Sequence, residues 1–473
     1  MRERVRVCPV GFAAEFHGVQ LGDERLNQRL TRFAAQCRAA PERSFPDIAP
    51  SQADLTATYR FLRSPTVTLA SVLEPHIVAT TRRCIEAGRV LVIHDTSECE
   101  FSGEKRSGLG TLRGHDQGFL LHGSLALAAD GSRRPLGILG ALTWNRTERR
   151  GTKRPDGARK TGGDYHRESG KESARWWDTV LGVEQRLGEA VKAIHVMDRE
   201  ADAFHFLRDA IEYGARFVVR MARDRVLLDC DDDSKLGKTS EVLAACTDIF
   251  ELDVPLSRRA AKPMPKSPAP REARKAKLAV TGTKTRIARP NYDRESAESL
   301  EVNLVCVREV DPPSHGDAVD WVLITTEPID TPQQLRAVVE AYRARWMIEE
   351  LFKALKTGCA FEKRQLESYD TLTSALGIFL PIAWHLLLLR HDAHNTPREP
   401  AERVLSPIQL QVLRARLPQI VPPRATASDV LRAIAYLGGH FTKKKPGWLV
   451  LGRGLEKLLD LEEGWRLATG ADP

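Results

Sequence analysis

Two short apolar runs each end on an aspartate: VLVIH at 90–94 is followed by Asp95, and AIHVM at 193–197 by Asp198. Such runs read as buried strands, so each carboxylate projects from a strand's carboxyl end. If the strands are neighbours, the two acids meet. Acids held that close repel and raise one another's pKa unless a cation neutralises them, which makes a hard divalent metal the natural occupant. Either aspartate alone is more simply a residue of a strand-to-loop turn. A third acid changes that balance.

The third acid lies in YRARWMIEELFKALK, where Tyr342, Arg345, Glu349 and Lys356 are spaced i, i+3, i+7 and i+14. At about 100° per residue an unbroken helix places all four within about 60° of one another. Ile348, Leu351, Phe352 and Leu355 fill the adjoining sector and can be buried while the polar stripe faces a site. Tyr342 and Lys356 then lie about 21 Å apart along the axis, with Glu349 midway. No single small ligand spans that length, whereas a DNA strand does, its phosphates gripped on either side of a central scissile bond.

The rest of the chain reads as a mixed α/β protein of 473 residues with helical ends. Residues 1–72 form a small basic helical unit, with Leu26, Leu30, Phe33 and Cys37 at helical spacing and a helix in TYRFLRSP stopped before Pro65. Strands and helices alternate over 73–390, with an expected β-rich insertion at about 225–331. Residues 391–473 are largely helical. The net charge of +8 is uneven, because Arg258–Arg289 holds eleven lysines and arginines against one acid, Glu272. This block is expected to be a Pro-rich irregular segment that offers a phosphate-binding surface. Eight scattered cysteines show no metal-ligand spacing. No charged-then-apolar leader opens the sequence, and the longest apolar stretch, Ala375–Leu389, carries Pro381 and His385 and reads as a buried helix. No membrane partner is expected, and a reducing bacterial cytoplasm is the expected location.

At the signature residues the sequence resembles the IS-four family of insertion-sequence transposases, whose Y-(2)-R-(3)-E-(6)-K pattern is reproduced by Tyr342, Arg345, Glu349 and Lys356. Further matches are DTS at Asp95, DREAD at Asp198–Asp202, ESGK at Glu168–Lys171, FVVR at Phe217–Arg220 and DW-(3)-T-(1)-EP at Asp320–Pro328. The resemblance implies a ribonuclease H-like catalytic core interrupted by a β-rich insertion, an N-terminal DNA-end-binding domain and a C-terminal helical dimerisation region.

It further implies that Asp95, Asp198 and Glu349 are the catalytic carboxylates, holding two magnesium ions for which manganese can substitute. Tyr342, Arg345 and Lys356 are implied to contact the transposon end, with Arg220 and Lys353 as further candidates. Trp321 is implied to hold a base flipped out of the duplex, and Arg25 and Arg60 to touch the end sequence. Lys363 and Arg364 stand where the family places basic residues beyond the signature helix. The expected partners are double-stranded DNA and a second copy of the chain. The implied activity is cut-and-paste transposition by nicking, hairpin formation and strand transfer. Two rival readings stand beside it: a ribonuclease H-like nuclease that uses the same triad without strand transfer, and a catalytically inactive DNA-binding inhibitor, against which the presence of all three acids and the signature counts.

Overall fold

A computed structural model describes residues 12–112, 117–145, 174–247, 249–256, 270–291, 293, 297–313, 318–395, 397–442 and 445–470. The chain opens with helices at Glu24–Ala39, Phe45–Ile48, Gln52–Leu62 and Leu69–Ala87. Each long one begins at a side-chain cap: Asp23 accepts from the Arg25 amide, Ser51 from Asp54 and Thr68 from Ser71. Leu30, Phe33 and Cys37 are buried, as their spacing requires. The expected division after residue 72 lies within the helix Leu69–Ala87, and that after residue 390 within the helix Tyr369–Asn395.

Strands β1 (Arg89–Phe101), β2 (Gly110–Thr111), β3 (Gln117–Ala128) and β4 (Pro135–Trp144) follow. After the helix Ala174–Leu187 come β5 (Lys192–Met197), the helix Phe204–Tyr213 and β6 (Phe217–Arg220). β4 pairs with β3 and β3 with β1, both antiparallel, while β1, β5 and β6 run parallel. The order β4-β3-β1-β5-β6, with a helical crossover before each of the last two strands, is the ribonuclease H-like arrangement. It makes β1 and β5 parallel neighbours; β5 ends at Met197, whereas β1 continues to Phe101 in register with β3, so Asp95 is corrected from a strand's carboxyl end to mid-strand, just past the last β1–β5 pair.

The sheet does not stop at β6. It continues through β12 (Asp320–Thr325), β11 (Ser299–Glu309) and β10 (Arg274–Ala288), joined by β7 (Val226–Leu228), β8 (Lys235–Lys238) and β9 (Phe250–Leu256). The expected irregular basic block is therefore corrected in its second half, since β10 is a 15-residue strand whose alternate positions are buried between β9 and β11. Four of its cations are also engaged: Arg274 pairs with Glu309, Lys277 with Glu251, Lys284 with Asp330 and Arg286 with Asp233. Residues 257–269, which hold its prolines except Pro270, lie outside the described residues.

The apolar helix Tyr369–Asn395 is the central pillar, and 94% of its most hydropathic window is inside the protein. It packs on the N-terminal helices, β4 and, among the C-terminal helices Pro407–Arg416, Ala427–Leu437 and Trp448–Thr469, the middle one, which in turn packs on the other two. Two glycines allow the last pair of helices to touch backbone to backbone. A Cβ at Gly438 would fall 2.0 Å from the Val450 carbonyl oxygen, and one at Gly454 would fall 1.8 Å from that of Ile434.

Candidate active site

The parallel register of β1 and β5 sets the first two acids side by side. Ile93 pairs with Val196, so Asp95 and Asp198 each stand two residues beyond a matched pair on strands about 4.8 Å apart. Asp95 accepts from the Thr96 amide at 2.8 Å. Asp198 caps the 3-10 turn Arg199–Ala201 by accepting from the Glu200 amide at 2.8 Å. The turn is anchored from behind by Asp202, whose buried carboxylate accepts from the Ala222 and Arg223 amides at 2.7 and 3.1 Å and pairs with Arg225.

The third acid arrives on the helix Trp346–Lys353, whose Ile348, Leu351 and Phe352 are buried in the core. Arg345, immediately before this helix, joins the two sides of the site. Its Nη1 donates to Asp95 Oδ2 at 2.7 Å and its Nη2 to Glu349 Oε1 at 2.6 Å. Burial pushes the Asp95 carboxyl up to about 7; Arg345 opposes the rise, and the charges of Asp198 and Glu349 add to it. Against the effect of burial, Asp95, Tyr342 and Glu349 hold the Arg345 guanidinium above its ordinary range. Asp198 and Glu349 thus lie close enough to repel Asp95, and Arg345 sits between Asp95 and Glu349.

Among the described residues no three His, Cys, Asp or Glu side chains form a ready-made metal cluster. The donor set nevertheless suits a hard divalent cation: three carboxylates, one of them driven toward protonation chiefly by burial. In this conformation Arg345 supplies the positive charge that the acids require.

The signature segment differs from an unbroken helix. One helix runs Pro332–Arg343 and the next Trp346–Lys353, and between them the Arg345 amide bonds back only three residues, to the Tyr342 carbonyl at 3.0 Å. A π-turn over Ala354–Gly358 follows and carries Lys356. The tight joint and the wide turn break the uniform 100° step, so the four signature side chains do not form a straight stripe. Lys356 points to the end of β1, where it donates to the Glu98 carbonyl and pairs with Glu362 at 3.1 Å.

Tyr342 is buried and meets Trp321 edge to face at 5.3 Å between ring centroids. Burial raises its hydroxyl pKa, against the pull of Arg345 and of Arg220, which is also its hydrogen-bond partner. Trp321 is half-buried at the start of β12, and Arg220 ends β6 and donates to the Asp320 carbonyl at 3.1 Å. These residues adjoin the carboxylates. Lys353 is exposed, pairs with Glu350 at 2.8 Å and lies over the exposed Trp346 ring at 4.6 Å. Arg25 and Arg60 are exposed on the N-terminal helices. The ESGK segment at Glu168–Lys171 lies outside the described residues.

Arg364 does not face DNA in this structure. It is buried, donates to the carbonyls of Pro41, Arg43 and Cys359, and lies on the faces of Phe379 and Phe45. It clamps the N-terminal helices to the core. Sequence reasoning also missed a histidine network on the other face of β1. Hydrogen bonds link Glu184 to His195 Nε2 at 2.7 Å, His195 Nδ1 to His94 Nε2 at 2.8 Å, and His94 Nδ1 to the Ser124 hydroxyl at 3.0 Å. Burial, reinforced by the neighbouring imidazoles, holds His94 well below its usual pKa, which keeps it neutral. The network ties the helix Ala174–Leu187 to β1, β3 and β5 directly beneath the carboxylates. Its only signal in the sequence is one histidine in each of two apolar strands, β1 and β5.

Two families match this chain. Residues 12–67 match the family described as Transposase DNA-binding, and residues 164–380 match Transposase DDE domain. The second match includes Asp198 and Glu349 and begins after Asp95. Among solved structures, the chain is distantly similar to a piggyBac transposase synaptic complex with hairpin DNA, determined by cryo-EM. The TM-score is 0.37 at 10% identity, over 95% of this chain and 73% of that one.

Proposed function

We propose, for a chain that carries a DDE transposase domain behind a transposase DNA-binding domain, that it is a cut-and-paste DNA transposase of the IS-four type. Asp95, Asp198 and Glu349 are its catalytic carboxylates, and they would hold two divalent ions, magnesium or manganese, which supply an activated water and neutralise phosphate charge. The observation that carries this reading is the convergence of the three acids. Two come from neighbouring strands and one from a helix more than a hundred residues later; burial, with the charges of Asp198 and Glu349, raises the Asp95 pKa, and Arg345 bridges Asp95 to Glu349.

The remaining residues position DNA around that centre. Arg345 and Lys356 bind backbone phosphates on either side of the cleaved bond, with Tyr342, Arg220 and Lys353 beside them. For Arg345 this means exchanging its carboxylate partners for a phosphate when the end docks. Trp321, already resting on Tyr342, stacks an extruded base and so offsets part of the cost of bending the end into a hairpin. Arg25 and Arg60 read the end sequence from the N-terminal helices. A second copy of the chain completes the synaptic complex on cytoplasmic DNA.

The test is to incubate the full chain and magnesium with DNA that borders its own reading frame. The reading expects nicks at a repeated boundary, followed by hairpins and joined products. Nicks without any joining would favour a nuclease, and no cleavage at any boundary would remove the enzymatic reading.

A further inference from the structure

Lys356 reaches the active-site edge already holding a carboxylate. Its ammonium pairs with Glu362 Oε1 at 3.1 Å and donates to the Glu98 carbonyl. Glu362 is itself fixed, because the same Oε1 accepts from the Glu100 amide at 3.0 Å. Both side chains keep about a quarter of their surface in solvent, 26% for Lys356 and 28% for Glu362. An ion pair this open contributes little to stability, and the Glu98 carbonyl already orients the lysine. Stability is therefore a weak account of the acid's place. The neighbouring signature cation follows the same pattern, with Arg345 held by Asp95 and Glu349.

We propose that Glu362 is an internal stand-in for DNA phosphate: it occupies Lys356 in the DNA-free protein and is displaced when the transposon end docks, so it sets how tightly ends are held. The proposal rests on the reading of Lys356 as a phosphate contact. A carboxylate and a phosphate oxygen make the same charge-assisted bond to an ammonium group, and they cannot both sit at its open side without repelling each other. The backbone hydrogen bond from Glu100 keeps the carboxylate nearby after displacement, ready to return when product leaves.

The distinguishing variant is Glu362→Gln, which removes the charge but keeps an oxygen for the Glu100 amide, so its thermal unfolding should match that of the parent. Binding of a fluorescein-labelled duplex from the boundary of the reading frame is followed by anisotropy in EDTA at low salt. Four full-length proteins are compared: the parent, Glu362→Gln, Lys356→Ala and the double variant. Glu362→Gln should bind about twofold to fivefold more tightly, the range an exposed ion pair allows. Lys356→Ala should bind more weakly, and adding Glu362→Gln to it should bring no gain. Unchanged or weaker binding by Glu362→Gln would overturn the stand-in role while leaving Lys356 on the DNA. A gain that persists without Lys356 would overturn it in favour of general charge repulsion. Parental affinity in Lys356→Ala would overturn the reading beneath it.

Discussion

Arg345 donates to Asp95 at 2.7 Å across 250 positions of sequence. The contact closes the edge where β1, β5 and the signature helix meet, and it leaves Asp95 with both a cation and two repelling acids as neighbours. Burial and repulsion prevail, and its carboxyl rises to about 7 from an ordinary value of 3.8.

A raised folded-state pKa favours the protonated fold, so the contribution of Asp95 to stability is full below about pH 4 and is lost as the pH climbs through about 7. In EDTA, Asp95→Asn should therefore melt above the parent at pH 8, and the difference should shrink as the pH is lowered toward 4. Magnesium should raise the melting temperature of the parent at pH 8 and have less effect on the variant. Thermal unfolding across that pH series decides it; a variant less stable than the parent at pH 8 would contradict the crowding of acids described above.

Trp321 touches Tyr342 but is only half-buried, so its outer surface remains for a base. Trp321→Ala should slow hairpin formation and resolution at least tenfold more than the first nick, and Trp321→Phe should recover part of the loss. Product gels resolved by step measure the split. Equal losses at every step would make Trp321 a packing residue of β12.

Far from the site, Glu15 fastens the N-terminal segment to the core by accepting from Arg83 at 2.8 Å and bonding His76 at 2.6 Å. Burial alone would raise its pKa, but His76 and Arg83 outweigh it and bring the value down from 4.5 to about 2. A lowered folded-state pKa gives stability that is present above about pH 4.5 and is lost as the pH falls toward 2, on the order of 3 kcal/mol. Glu15→Gln should be less stable than the parent at pH 7 by a comparable amount, and denaturant titrations should show the gap closing by about pH 2.5. A constant gap across that range would mean that packing, not charge, holds Glu15.

Part of the candidate site was legible in the chain because Asp95 and Asp198 directly follow apolar runs that form neighbouring strands, although β1 runs on past Asp95 to Phe101. The buried helix around Pro381 was legible for a similar reason, since its apolar content outruns any surface role. Side-chain partners carry no such signal. Arg364 looks like any exposed arginine until the carbonyls of Pro41 and Arg43, more than three hundred residues away, close around it. The basic stretch misled because charge was read without alternation: Ala276, Leu278 and Val280 are buried in β10 between its cations. The signature helix misled because apolar and polar periodicity does not show where a helix tightens, as at Arg345, or widens, as over Ala354–Gly358.

The central claim is tested most directly by Glu349→Gln on a duplex cut from the boundary of the reading frame, with binding and magnesium-dependent nicking measured in parallel. The account predicts end binding within about twofold of the parent, because one neutralised carboxylate removes no phosphate contact, together with complete loss of the nick. A Glu349→Gln protein that nicks the boundary at the parental rate would contradict it.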